Sequence, residues 1–152
     1  MRFQRVKPVV DRTYRTRPEA AATGTVGSSL GGVVAMYLGL EHPETFGMTG
    51  CVSPAVFWGG RDLLRRAAAR ARPGMRMWID IGTREGGRMG WEGAVADARA
   101  LHDALVARGL EDGKDVVLVV AEGAEHNERA WASRTPEILR FLLSGRPPAS
   151  AR

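Results

Sequence analysis

The chain has 152 residues, of which 44% are hydrophobic and 26% charged, which fits one folded domain and excludes a disordered chain. It carries 22 Lys and Arg against 17 Asp and Glu, a formal charge of +5, and a single cysteine, Cys51. One cysteine excludes an internal disulfide, no Cys/His cluster offers a metal site, and no apolar run is long enough to span a bilayer.

The first 22 residues are polar and interrupted by Pro8 and Pro18, and are expected to be irregular. Residues 23–28 (TGTVGS) form a short small-residue strand. Residues 29–40 (SLGGVVAMYLGL) are apolar nearly all round, as in a buried helix, and His42-Pro43 ends it. Residues 48–52 (MTGCV) make a second strand. Residues 62–71 carry Leu63, Leu64, Ala67, Ala68 and Ala71 at helical spacing, and Pro73-Gly74 stops them.

Residues 75–81 (MRMWIDI) read as a third strand closed by Gly82. Residues 95–110 come next as a helix with Ala98, Leu101 and Leu105 on one face and Gly109 near its end. Residues 116–121 (VVLVVA) are a continuous apolar strand, as in a sheet covered on both faces. Residues 136–143 are a last amphipathic helix, and 145–152 a frayed tail. The order β-α-β-α-β-α-β-α implies an α/β fold: a parallel sheet of about four strands with flanking helices in three layers. Ligands bind such sheets beyond the carboxyl ends of the strands.

Three of those strand ends carry chemistry. Residues 27–31 match G-x-S-x-G, with Ser29 at the centre, after a predicted strand and before a predicted helix. That context matters, since roughly one chain in ten of this composition would show the pattern by chance. The sharp turn needs small neighbours, and the helix start offers the Leu30 amide to a developing oxyanion. A glycine-rich turn with a capping serine is the plainer alternative.

A serine hydroxyl needs a base, usually His. Of three histidines, His42 ends a helix and His102 lies within one, which leaves His126, just past the last strand, as the candidate. The orienting acid is expected at the end of the third strand. Glu85, in the loop after it, is preferred, and Asp80, within it, is the second choice, because a loop residue can reach a neighbouring loop. A solvated loop charge is the alternative reading of Glu85.

Residues 27–32 (GSSLGG), 51–58 (CVSPAVFW), 79–86 (IDIGTREG) and 123–134 (GAEHNERAWASR) together resemble the Putative esterase family of α/β-hydrolases, which includes enterochelin esterase-like and esterase D-like enzymes. The resemblance runs from about Val10 to Leu143 and covers the C-terminal half of that fold. It implies a serine carboxylester hydrolase with Ser29 as nucleophile, His126 as base and Glu85 as acid. It also implies a substrate pocket lined by Ser53, Pro54 and Trp58, and an aromatic, Trp131, that comes after the histidine. The half of the family fold that supplies a second oxyanion amide has no counterpart in these residues, so the chain reads as a truncated esterase.

The expected partner is a small-molecule ester, with no cofactor, no metal, no nucleic acid and no membrane. Twenty of the 22 basic residues are Arg, spread without the stacking aromatics or module of a nucleic-acid binder. Residues 1–10 lack the apolar core of a signal peptide, so a cytoplasmic location is expected. The strand at Thr23–Ser28 lacks its family neighbour on one side. That bare edge makes an inactive fragment, or a homo-oligomer assembled through the edge, the alternative to an active enzyme.

Overall fold

The computed structural model describes residues 3–86 and 93–148. Four strands, β1 (Gly24–Ser28), β2 (Met48–Val52), β3 (Arg76–Arg84) and β4 (Val116–Glu125), form one parallel sheet in the order of the sequence. Among the described residues five α-helices accompany them: α1 (Phe3–Thr13), α2 (Leu30–Glu41), α3 (Trp58–Arg70), α4 (Ala94–Val106) and α5 (Glu128–Ser144). This is the expected parallel α/β arrangement.

The sequential strand order fixes the layers. Right-handed crossovers between adjacent parallel strands put every crossover helix on the same face. Helices α2, α3 and α4 accordingly pack side by side there, and α5, which comes after the last strand, covers the opposite face against β2 and β3. Side chains alternate across β3 to serve both layers. Met77, Ile79 and Ile81 meet Leu63, Leu101 and Leu105 on the crossover face. Trp78 meets Ile138 and Phe141 of α5 on the other, its ring centroid 6.1 Å from that of Phe141. Burying each such side chain stabilises by about 1.5–3 kcal/mol. Cys51 is wholly buried on the crossover face, and burial together with the nearby Asp80 charge pushes its thiol far above the usual range.

Several boundaries differ from the sequence expectation. Residues 1–22 were expected to be irregular, yet α1 forms within them. Its Phe3 ring stacks near His42 and Phe46, at 4.9 and 5.2 Å, and Lys7 pairs with Asp11 one turn on. Residues 1–2 and 149–152, the ends of the expected irregular segment and tail, lie outside the described residues. Helix α5 begins eight residues before Pro136, because the Asn127 side chain caps it by accepting from the Ala130 amide at 2.9 Å. Pro136 sits inside the helix, where burial of Ile138, Phe141 and Leu142 outweighs its lost hydrogen bond. Helix α3 is entered through three left-handed residues, Gly59, Gly60 and Arg61, before its regular turns.

Candidate active site

The carboxyl ends of the four strands converge on one edge. At the end of β1 the chain turns sharply into α2, and Ser29 occupies the turn with φ 58° and ψ −124°. That conformation costs a non-glycine residue on the order of 1–3 kcal/mol. The turn closes so tightly that a Cβ on Gly27 would stand 2.3 Å from the Gly31 carbonyl oxygen, so position 27 admits only glycine. The Ser29 amide donates to the Val52 carbonyl at 2.9 Å, and the Ser29 carbonyl accepts from Gly32 and Val33. Leu30, the first residue of α2, is exposed, and its amide belongs to the first turn, which has no acceptor within a helix.

At the other end of the sheet, β3 and β4 fall out of register after Gly82. Gly82 pairs with Ala121, but Arg84 pairs with Glu125, so β4 carries two extra residues. Such a bulge bends a strand and re-aims the residues beyond it. It brings the Ala124 carbonyl over Gly82, where a Cβ would lie 2.2 Å from that oxygen, and it delivers His126 beside Glu85.

These two constructions bring three predicted residues together. His126 Nε2 lies 3.0 Å from Ser29 Oγ, and His126 Nδ1 lies 2.5 Å from Glu85 Oε2. A carboxylate only accepts, so Nδ1 carries the proton toward Glu85 and Nε2 is left to accept from the Ser29 hydroxyl. Glu85 is buried, with a side chain 3% exposed, while His126 is 37% exposed. The serine and the histidine are therefore within reach of a solute and the acid is not. The Trp131 ring stands edge-on to the imidazole, centroids 5.0 Å apart.

Asp80 does not touch the histidine. It lies on the α5 face of β3, fully buried, paired with Arg134 at 2.9 Å and accepting from Trp78 Nε1 at 2.7 Å. Burial pushes its carboxyl up from the usual range, and Arg134 holds it back. Trp58 opens α3 and is exposed. Ser53 and Pro54 are buried, and the Ser53 hydroxyl donates to Glu85 Oε1 at 2.6 Å, so Ser53 stands beneath the acid and its side chain faces no cleft. Of the other histidines, His102 reaches Asp112 at 3.0 Å, and His42 lies against Phe3.

Sequence reasoning missed Arg134 altogether and missed the part Ser53 plays. One signal for the former was present. Asp80 sits in the middle of an apolar strand, and a carboxylate there demands a buried cationic or donor partner.

A family profile described as Putative esterase matches residues 3–142. The chain belongs to this family. Among curated proteins it is similar to the "Uncharacterized protein YbbA" of Bacillus subtilis, 23% identical over 138 residues that make up 89% of this chain and 54% of that protein. Among solved structures it is similar to the enterobactin esterase of Shigella flexneri, with 25% identity and a TM-score of 0.75 over 91% of this chain and 36% of that one. A ferulic acid esterase from Anaeromyces mucronatus, 18% identical with a TM-score of 0.70 over 92% of this chain and 52% of that one, shares the fold. The chain thus spans about half the length of the Bacillus relative and about a third of the Shigella enzyme.

Proposed function

We propose that this esterase-family chain is a serine carboxylester hydrolase working through an acyl-enzyme, with Ser29 as nucleophile, His126 as general base and Glu85 as the orienting acid. The observation that carries the reading is the unbroken contact from Ser29 Oγ through both ring nitrogens of His126 to a buried Glu85. A strained serine at a strand-to-helix turn has its hydroxyl held away from its own backbone, open to an incoming carbonyl.

In the first half-reaction Ser29 Oγ attacks the ester carbonyl carbon while its proton passes to His126 Nε2. The imidazolium so formed is stabilised by Glu85 across Nδ1. The Leu30 amide, at the positive end of α2, is the donor aimed at the oxyanion. His126 then returns the proton to the leaving alcohol. Water enters, gives a proton to Nε2 and attacks the acyl carbon, and Ser29 leaves with the proton restored. Loss of one oxyanion donor costs on the order of 10²–10³ in turnover, so a site with the Leu30 amide alone would be slow.

The test is hydrolysis of a short-chain p-nitrophenyl ester by the chain and by Ser29→Ala. The expected outcome is turnover that disappears in a variant with unchanged circular dichroism. Equal rates in the two proteins would overturn the assignment.

One observation favours a second reading, assembly of two copies through β1. Val26 of that edge strand is 51% exposed on the α5 face of the sheet, and on the other face Leu30 and Val34 of α2 are exposed as well. Two copies of one edge can pair about a two-fold axis. Size-exclusion chromatography with light scattering decides: a discrete dimer supports it, and a monomer over the whole concentration range rejects it.

A further inference from the structure

Glu85 has two oxygens, and only one of them serves His126. The other, Oε1, accepts from the Gly82 amide at 2.7 Å and from the Ser53 hydroxyl at 2.6 Å. With both oxygens held, the carboxylate plane has no freedom to turn. The direction of the Ser53 hydrogen bond is set by its second contact, Arg134 Nη2 at 2.9 Å. A guanidinium can only donate, so Ser53 Oγ accepts from Arg134 and its single proton is sent to Glu85.

Arg134 is held in turn. It lies in α5, 7% exposed, and the same Nη2 meets Asp80 Oδ1 at 2.9 Å. Asp80 is pinned by the Trp78 indole on Oδ2 and by the Ser53 amide on Oδ1. Ser53 itself has φ +41°, a conformation uncommon for a non-glycine residue. Its amide is held by the Asp80 carbonyl at 3.0 Å as well as by the side chain. A glycine would adopt that backbone without strain. A serine there supplies a hydroxyl, and the hydroxyl points at the acid.

Resting on the reading of Ser29, His126 and Glu85 as a triad, we propose that Ser53 is a positioning residue for the acid: its hydroxyl, oriented by the buried Arg134–Asp80 pair, fixes the Glu85 carboxylate so that Oε2 faces His126. The ends of β2 and β3 and the body of α5 thereby act on the nucleophile through one carboxylate. The competing view is that Ser53 only ties two strand ends together and contributes to stability.

The test uses the whole chain, with Ser53→Gly and Ser53→Ala each made alone and in a Glu85→Gln background. Both variants lack the hydroxyl, but only glycine relieves the backbone, so their melting temperatures should separate. If Ser53 positions the acid, kcat on a p-nitrophenyl ester falls about tenfold in both variants, with KM unchanged. The same changes in the Glu85→Gln background cost less than about twofold, because the residue they act through is gone. The proton on His126 Nδ1, read as a downfield resonance by NMR, should shift upfield or broaden in both single variants. That readout needs no turnover. A wild-type chain with the resonance but without ester turnover would count against the hydrolase reading, and the shift on Ser53 substitution would still decide the positioning claim. Unchanged kcat and an unmoved resonance in Ser53→Gly, or kcat losses that track melting temperature, would overturn it.

Discussion

The carboxyl edge of the sheet and its β1 flank are built on opposite terms. At the carboxyl edge, polar groups from four strands and α5 are linked without a break, from Ser29 through His126, Glu85, Ser53 and Arg134 to Asp80. Along β1 and the adjoining face of α2, apolar side chains meet solvent: Val26 is 51% exposed, Leu30 46% and Val34 56%. Helix α2 is apolar all round, the composition of a helix buried on every side, yet only Gly32, Ala35, Met36, Gly39 and Leu40 are buried. The site region links polar groups to one another, and the β1 flank leaves apolar groups in water. Chemistry and assembly are therefore separable demands on this chain, and substitutions can address each alone.

The largest effect is expected at the linked edge. His126→Ala removes the proposed base and should lower kcat by about 10³-fold or more while the fold persists, since the imidazole is partly exposed. Steady-state kinetics beside a thermal melt reads both, and a loss under tenfold would break the contrast between the two regions. Next comes the bulge. Gly82→Ala puts a Cβ 2.2 Å from the Ala124 carbonyl, which should cost about 1–3 kcal/mol in urea unfolding and displace His126 from Glu85. A variant as stable and as active as the parent would show that the bulge does not set the site.

A smaller effect sharpens the electrostatic side. Burial raises the Asp80 carboxyl above its unfolded value of about 3.9, despite Arg134. A raised carboxyl stabilises the fold where it is protonated, below the unfolded value, and that contribution is lost as pH rises through the folded value. Asp80→Asn should remove this part of the pH dependence, so urea midpoints should fall less than in the parent as pH rises above the unfolded value. An unaltered slope would contradict the sign. The smallest effect belongs to the open flank. Val34→Gln should change monomer stability by less than about 0.5 kcal/mol, because the side chain already meets water. A larger loss would mean that this flank is covered in solution.

Much of the site was legible because its signals are local. The G-x-S-x-G turn announces Ser29 through the small residues a tight bend needs, and chain order places His126 after the last strand. Three of the four strands announce themselves as apolar runs, and β1 as a run of small residues. What escaped is tertiary. Helix α1 carries Pro8 and no buried residue, and its contacts with His42 and Phe46 join residues far apart in sequence. The start of α5 was masked by Pro136, a stronger local sign than the Asn127 cap that in fact begins the helix. The resemblance reads Ser53 as a pocket residue and gives no sign of its tie to Glu85. Its partners, Glu85 and Arg134, lie 32 and 81 positions away, and no spacing rule connects them.

The central claim is that Ser29 is the acyl carrier. The most direct measurement is mass spectrometry of the chain quenched in acid during turnover of p-nitrophenyl acetate, with peptide mapping of the product. The account predicts a single acetyl group, on the peptide bearing Ser29, that accumulates in the parent and is absent from Ser29→Ala and from His126→Ala. Acetylation elsewhere with Ser29 unmodified, or labelling of equal extent in the His126 variant, would contradict it.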